Sequence, residues 1–140
     1  MNAGESAGEV RHDGEAALVR QVYDHWASGQ DALDLMADDV VWDFSRRQID
    51  PGVYHGHEGA RRFRRQLFQA WSELRHELSN VIPSGNRVLV ILALKGSGRS
   101  SAIEVTVRIA HLWTVQNGKI TSLEYFGDVA EAQRALEATS

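Results

Sequence analysis

A single histidine, His111, stands in the middle of an apolar strand face and is the first candidate for chemistry. Between Ile103 and Val115 the other odd positions are all apolar, whereas the even positions are mostly polar. Burial disfavours the imidazolium, so we expect a neutral ring with one donor and one acceptor nitrogen. Such a ring either performs acid–base catalysis in a pocket or fills a core position bonded to a backbone or hydroxyl group, and the sequence leaves both open.

The residue that faces His111 across the next hairpin depends on the Asn-Gly turn at 117–118. A two-residue turn pairs His111 with Glu124 and brings a carboxylate to the core face. A three-residue loop with its glycine left-handed pairs His111 with Leu123 instead and makes Tyr125 a diagonal neighbour. Either register gives the histidine an acid–base partner.

Further candidates lie on an earlier strand and among the aromatic residues. Asp43 is a third candidate for catalysis, but alternation points it away from Trp42 and Phe44, so it reaches a pocket only through a bulge near the end of the strand. Aromatic and apolar side chains serve either as core packing or as the walls of a site for a planar or polycyclic substrate. The candidates for such walls are Trp26, Trp42, Phe44, Tyr54, Phe63, Trp113 and Leu123.

The elements that hold these residues follow the order helices first, strands afterwards. Residues 1–14 are polar and glycine-rich, which predicts a flexible tail before a single domain at 15–138. The spacing predicts helices at 15–29, 31–36, 57–71 and 129–138, and strands at 40–44, 73–83, 87–94, 101–115 and 119–127. Glycine-rich turns are expected at 85–86, 96–98 and 117–118. This order is typical of the α+β class, a curved antiparallel sheet with helices against one face.

Composition narrows the class of protein. A chain of 140 residues with 43% apolar and 24% charged residues is one globular domain with room for an internal pocket. It has no membrane-length apolar run and no apolar leader, which predicts a cytoplasmic protein that does not associate with membranes. There is no cysteine, and a net charge of −4 argues against nucleic-acid binding. The segment His55-Gly56-His57-Glu58 has too few ligands for a metal site, so neither metal nor cofactor is expected.

Residues 88–94, Val-Leu-Val-Ile-Leu-Ala-Leu, have no polar face, so both sides of this strand must be covered. One helix layer covers only one side. This pattern predicts a homodimer that packs through the outer face of the sheet. The alternative is that a loop or the C-terminal helix of the same chain covers the strand.

Three segments stand in an order that resembles a known family. They are Ala-Asp-Asp-Val-Val-Trp at 37–42, Gly-Val-Tyr-His-Gly-His-Glu-Gly at 52–59, and Ala-His-Leu-Trp-Thr-Val-Gln-Asn-Gly-Lys-Ile at 110–120. Their order and spacing resemble the SnoaL-like group of the nuclear-transport-factor-like superfamily, over about residues 15–138. The resemblance implies a cone-shaped sheet around helices, a pocket in its mouth and frequent dimers. It also implies a range of activities, from polyketide cyclases, ketosteroid isomerases, dehydratases and epoxide hydrolases to proteins that bind without catalysis.

The resemblance carries over to single residues only in part. His111 matches a pocket histidine of the polyketide cyclases, but their acid–base aspartate falls at Tyr125. The base and the oxyanion tyrosine of the ketosteroid isomerases fall at Phe44 and Val22, which argues against that chemistry in its usual form. The resemblance favours the three-residue loop. It implies a cofactor-independent isomerase, cyclase or dehydratase for a small hydrophobic, polyketide- or terpenoid-like substrate, with His111 as acid–base and Tyr125 as donor, or else a non-catalytic binding or protein-interaction domain.

Overall fold

One six-stranded sheet carries most of the candidate residues, and helices lie against both of its faces. A computed structural model describes the backbone of residues 3–100 and 103–138, and the side chains from Gly14 onward. In chain order the elements are helix α1 (Ala3–Ala27), a 3-10 turn (Leu33–Leu35), strands β1 (Met36–Asp43) and β2 (Val53–His55), helix α2 (Gly56–Ala70), strands β3 (Trp71–Ser84), β4 (Arg87–Gly98), β5 (Glu104–Gln116) and β6 (Lys119–Phe126), and helix α3 (Val129–Ala138).

The strand order is β2-β1-β6-β5-β4-β3, and neighbours are antiparallel except that β1 runs parallel to β6. The predicted α+β class is confirmed. We call the face toward α1 and α2 the inner face, because it carries the larger apolar cluster, and the face toward α3 the outer face. None of the described helices is long and apolar enough to cross a membrane.

The hairpin between β5 and β6 has neither of the expected registers. Its turn has two residues, Asn117 (φ 52°) and Gly118 (φ 77°), and both are left-handed, as a type I′ turn requires. The pairing then shifts by one residue at Thr121, a β-bulge whose hydroxyl donates to the Thr114 carbonyl at 3.3 Å. As a result, Tyr125 lies directly opposite His111 rather than diagonally from it.

Glu124 therefore belongs to the outer face, where Arg87 donates to its carboxylate at 3.0 Å. The first register, which placed Glu124 opposite His111, is wrong because the bulge adds one residue to β6 and displaces all later pairs by one position. The second register is wrong because Leu123 pairs with Trp113, not with His111.

Helix α3 covers the outer face where β4, β5 and β6 meet. Ala132 and Leu136 pack there on an apolar cluster, whose strand members are Leu89, Ala110, Leu112 and Phe126. The C-terminal helix of the same chain thus covers part of the outer side of β4, which is the alternative that the sequence left open. The homodimer through this face stays a prediction.

Other boundaries differ from the sequence pattern. Helix α1 begins at Ala3 instead of Glu15, so the backbone of 3–14 is helical, whereas residues 1–2 of the predicted tail lie outside the described residues. The glycines at 96–98 belong to β4, and the turn follows at 99–100. The predicted helix at 31–36 is one 3-10 turn before β1. Residues 101–102 of the strand predicted at 101–115 also lie outside the described residues.

Candidate active site around His111

A buried hydrogen-bonded chain joins α1 to β5 at the candidate histidine. The Tyr23 hydroxyl lies 2.7 Å from His111 Nδ1, and Trp113 Nε1–H donates to the same hydroxyl at 2.9 Å. His111 is 4% exposed and Tyr23 6%. The rings of Tyr23 and His111 are nearly parallel, at 9°, with centroids 5.9 Å apart. The period of α1 turns Tyr23 to the inner face, and the alternation of β5 turns His111 and Trp113 to meet it.

This chain fixes the tautomer of His111. The Tyr23 oxygen already accepts a hydrogen bond from Trp113, and among the described residues its own O–H has one acceptor within reach, His111 Nδ1. If Nδ1 carried the proton instead, the buried tyrosine hydroxyl would lose its acceptor, at a cost of about 1–3 kcal/mol. His111 is therefore protonated at Nε2. That nitrogen makes no hydrogen bond with any described residue and is not among the fully buried unpaired atoms, so it is an available donor.

Burial keeps the network neutral. It lowers the pKa of His111 to about 3, with a smaller contribution from the neighbouring His76, and it raises the pKa of Tyr23 far above its ordinary value. A neutral ring whose accessible nitrogen already carries a proton cannot take another there. The geometry thus makes His111 a hydrogen-bond donor to an oxygen atom, the role in which it can stabilise a carbonyl or an enolate.

His76 on β3 is the second histidine of the site. Its ring centroid is 6.1 Å from that of His111 and 5.3 Å from that of Trp26. Burial lowers the pKa of His76 to about 4. Neither ring nitrogen bonds to a described side chain or backbone group, so the neutral ring offers one free donor and one free acceptor beside the His111 donor.

Two cavities meet at these histidines. The inner chamber, of about 390 Å³, lies between the end of α1, α2 and the strands. Its main walls are Tyr23, Trp26, Trp42, Phe44, Phe63, Leu67, Leu74, His76 and His111, with Arg64 at the edge. Trp42 and Phe63 meet edge to face, and Phe44 stacks on Phe63 with centroids 4.2 Å apart. Flat aromatic walls of this kind suit a planar molecule.

The outer chamber, of about 710 Å³, is also lined by His76 and His111. It shares Phe63, Leu67, Leu74, His76 and His111 with the inner chamber, and it adds Ile109 and Tyr125 to them. The Tyr125 ring stacks on Phe44 with centroids 5.6 Å apart. The Tyr125 hydroxyl forms no hydrogen bond with the described residues, His111 included. It is therefore available to a ligand in the outer chamber.

The wall of the outer chamber continues along β4 and β5 toward the open end of the sheet. Val105 and Val107 are 38% and 44% exposed, and Ile103 is 71% exposed. The prediction that the odd positions of β5 are core is therefore wrong for the first half of the strand, where these side chains are exposed in the described part of the chain.

Not all of the predicted site residues are brought together. Trp26, Trp42, Phe44 and Phe63 line the inner chamber, and Tyr125 lines the outer one, whereas Asp43, Tyr54, Trp113 and Leu123 line neither. Asp43 accepts the backbone N–H of Ser45 at 2.9 Å, as alternation away from Trp42 implies. Trp113 and Leu123 are fully buried core residues. Tyr54 packs on Phe63 and donates to Gln66 at 3.1 Å.

Tyr23 and His76 line the inner chamber but are not among the site residues that the sequence predicts. The helical period identified Tyr23 only as apolar core. His76 lies on a strand that alternates weakly, and no sequence signal marked it. In the described part of the chain, no group of three or more metal-ligating side chains comes together, and His57 Nε2 lies 3.1 Å from the Met36 carbonyl.

Comparison with known proteins gives one family match and several matches of fold. The model of the SnoaL-like domain matches residues 19–123. An NTF2-like protein of unknown function from Burkholderia pseudomallei has 23% identity and a TM-score of 0.73, over 88% of this chain and 97% of that one. TerC, co-crystallized with polyporic acid, has 21% identity and a TM-score of 0.75, over 89% and 98% of the two chains. A protein described as a SnoaL-like polyketide cyclase from Jannaschia sp. CCS1 has 23% identity and a TM-score of 0.72, over 91% and 94%.

At these identities the three solved structures support a shared fold alone. The search of curated proteins finds no match.

Proposed function

The chain belongs to the SnoaL-like domain family, and we propose that it is a cofactor-independent acid–base enzyme, an isomerase, cyclase or dehydratase for a small, planar and hydrophobic carbonyl compound. The observation that carries this proposal is the Trp113–Tyr23–His111 chain, which holds a neutral Nε2–H donor at a cavity beside an unpaired imidazole. The substrate rings lie among the aromatic walls of the inner chamber, and the carbonyl oxygen accepts from His111.

The reaction begins with proton abstraction next to that carbonyl. A C–H bond breaks, its proton moves to the free acceptor nitrogen of His76, and the electron pair forms an enolate whose oxygen accepts the hydrogen bond from His111 Nε2. A single donor of this kind contributes on the order of 10²–10³ in rate. The enolate then takes the proton back from His76 at another carbon, which is isomerisation. Alternatively, it attacks a second carbonyl, whose oxygen takes the His76 proton, or it expels a hydroxyl that takes the same proton and leaves as water; these steps give cyclisation and dehydration.

The low basicity of His76 fits this role. A pKa of about 4 keeps its ring unprotonated at neutral pH, in the range of an ordinary carboxylate base. The sequence expectation that His111 itself takes the proton is replaced here, because its accessible nitrogen is already protonated. Tyr125 remains in the proposal as a donor in the outer chamber, where its free hydroxyl meets any part of the substrate that extends beyond the histidines.

The fold comparison supports a small-molecule ligand. TerC, which shares the fold, was co-crystallized with polyporic acid. The two chambers of this chain are of a size that small organic ligands occupy.

One observation favours a second function, a non-catalytic binder of the same kind of molecule. The inner chamber offers no free carboxylate base among its described walls, because Glu77, its one acidic residue, pairs with Lys95 at 3.0 Å. A rigid donor such as His111 serves recognition as well as it serves catalysis.

The experiment is solvent exchange at carbon. Bicyclic and tricyclic ketones, with beta-tetralone first, are titrated by tryptophan fluorescence, and those that bind are incubated with the protein in D₂O while NMR follows the loss of the proton next to the carbonyl. We expect exchange faster than in buffer, abolished in His76→Phe and slowed about 10²-fold or more in His111→Ala, which keeps most of the binding. His55→Gln, an exposed histidine outside both chambers, is the matched control.

If ketones bind and none exchanges faster than in buffer, the enzyme proposal fails and the binder is the better account. For a binder, we also expect His111→Ala to weaken the affinity for the ketone, with no catalysed exchange in the wild-type protein to be slowed.

A further inference from the structure

Two arginines line the mouth of the outer chamber, and they differ in whether a carboxylate pairs with them. Arg46 pairs with Glu131 at 3.4 Å and lies over the Phe126 ring at 4.2 Å. Its neighbour Arg47 is half-buried and has no carboxylate within ion-pair distance among the described residues. Both belong to the loop between β1 and β2, which forms one side of the mouth. Within the described residues, the guanidinium of Arg47 at this opening is therefore without an anion.

Arg47 is held over the site rather than turned to solvent. Its guanidinium carbon lies 5.7 Å from the centroid of Phe63, the ring that forms a wall of both chambers. A guanidinium on an aromatic face has lost part of its hydration and keeps its in-plane donors free. Those donors match the two oxygens of a carboxylate.

The acidic residues of the same mouth are already engaged. Asp128 accepts the backbone N–H groups of Ala130 and Glu131 at 2.9 and 3.4 Å, at the first turn of α3. The carboxylate of Glu131 takes Arg46. The formal charges of these four residues at the mouth sum to zero, but Arg47 is the one cation among them with no ion pair to the described residues.

We propose that Arg47 binds a carboxylate of the substrate at this mouth, so that the substrate is a planar aromatic acid with its rings in the chambers and its carboxylate at the opening. This inference rests on the proposed function, because it assigns the substrate class of the same site. Arg47 is a specificity-determining residue here and takes no part in proton transfer. Its contact fixes which carbonyl of an extended molecule reaches His111.

The test compares an acid with its neutral isostere. Anthraquinone carboxylate and its primary amide are titrated by calorimetry at low ionic strength against the wild-type chain and four variants: Arg47→Gln, Arg47→Lys, Arg62→Gln and Arg64→Gln. Arg62 is the matched control, since it lies 5.5 Å over the Tyr54 ring in the same way but lines neither chamber. Near-ultraviolet circular dichroism checks that each variant is folded.

We expect the acid to bind about tenfold more tightly than the amide, as one charge-assisted contact provides. Arg47→Gln removes this preference by weakening only the acid, Arg47→Lys keeps part of it, and Arg62→Gln leaves it unchanged. Added salt weakens the acid and not the amide.

The inference is overturned if Arg47→Gln keeps the preference, or if Arg62→Gln loses as much of it. A preference that disappears in Arg64→Gln instead places the carboxylate at the inner chamber and also overturns the assignment to Arg47. Equal binding of acid and amide, with ketone exchange still faster than in buffer, overturns this inference and leaves the proposed function standing. If neither compound binds, the assignment of the chambers to aromatic carbonyl compounds fails with it.

Discussion

The Tyr23 hydroxyl is the one group on which the geometry of the site depends, so Tyr23→Phe is the sharpest perturbation of it. The substitution keeps the ring and removes one oxygen. It leaves two buried groups without partners, the Nε1–H of Trp113 and the Nδ1 of His111. An unsatisfied buried donor or acceptor costs about 1–3 kcal/mol, and some of this is recovered because the hydroxyl no longer has to be desolvated. We therefore expect the free energy of unfolding to fall by about 2–4 kcal/mol.

Tyr125→Phe is the matched control, because it removes the same atom from a ring in the adjoining chamber. Its hydroxyl makes no hydrogen bond with the described residues, so its loss changes the unfolding free energy by no more than about 0.5 kcal/mol. Urea denaturation, with equal slopes required for both variants, measures the difference. If the two substitutions cost the same, the Tyr23 hydroxyl does not bridge Trp113 and His111, and the tautomer assignment loses its basis.

The tautomer has a direct readout as well. In the wild-type protein, ¹⁵N shifts of His111 are expected to show an unprotonated Nδ1 and a protonated Nε2. In Tyr23→Phe the constraint is gone, and the two tautomers mix. A protonated Nδ1 in the wild type contradicts the reasoning, whatever the stability data show.

Two further predictions concern pH and the outer face. Burial lowers the pKa of His111 to about 3 and that of His76 to about 4, below the ordinary value of about 6.5 for an unfolded chain, so the unfolded state binds more protons between these values. The free energy of unfolding is then highest above about pH 6.5, and it falls by up to about 1.4 kcal/mol per pH unit for each of these two histidines as the pH decreases. Proton shifts of His111 or His76 that titrate near pH 6.5 in the folded protein would contradict this. On α3, Ala132→Glu buries a charge on the outer cluster and is expected to cost more than about 2 kcal/mol, whereas Ala130→Glu on the exposed side changes stability by less than about 0.5 kcal/mol. Equal effects in thermal unfolding would show that α3 does not pack on the sheet.

The position of His111 could be predicted because it depends on one strand alone. Period-two alternation in β5 is a local signal, and burial next to Ile109 and Trp113 follows from it. The aromatic walls were predicted for the same reason, since Trp42 and Phe44 share a strand face and Phe63 lies on the apolar side of α2. Local periodicity thus gives the face on which a side chain lies.

What periodicity cannot give is the partner of a side chain. The bond between Tyr23 and His111 joins residues 88 positions apart, and its existence depends on how α1 crosses the sheet. A tyrosine at an apolar position of a helix is equally compatible with packing alone. His76 could not be predicted as a site residue, because its role depends on the residues of other elements that lie near it, such as His111.

The register of β6 had a signal that was present but unresolved. Ile120 and Leu123 are both fully buried in the inner cluster, although their positions have opposite parity in a regular strand. Phe126 packs under α3 on the other face. Only an extra residue between Ile120 and Leu123 satisfies all three, and the bulge at Thr121 supplies it. The conflict between apolar sets was therefore evidence for a bulge rather than for a choice between two turns.

The same bulge determines where this hairpin can change length during evolution. Thr121 is unpaired between Ile120 and Ser122, so its deletion would close a regular ladder with Tyr125 still opposite His111. Deletion of a single residue between Ser122 and Tyr125 would instead move the wall of the outer chamber to the face under α3. A relative that lacks one residue at the bulge can therefore keep the site, whereas a relative shortened two or three residues later must have built a different one.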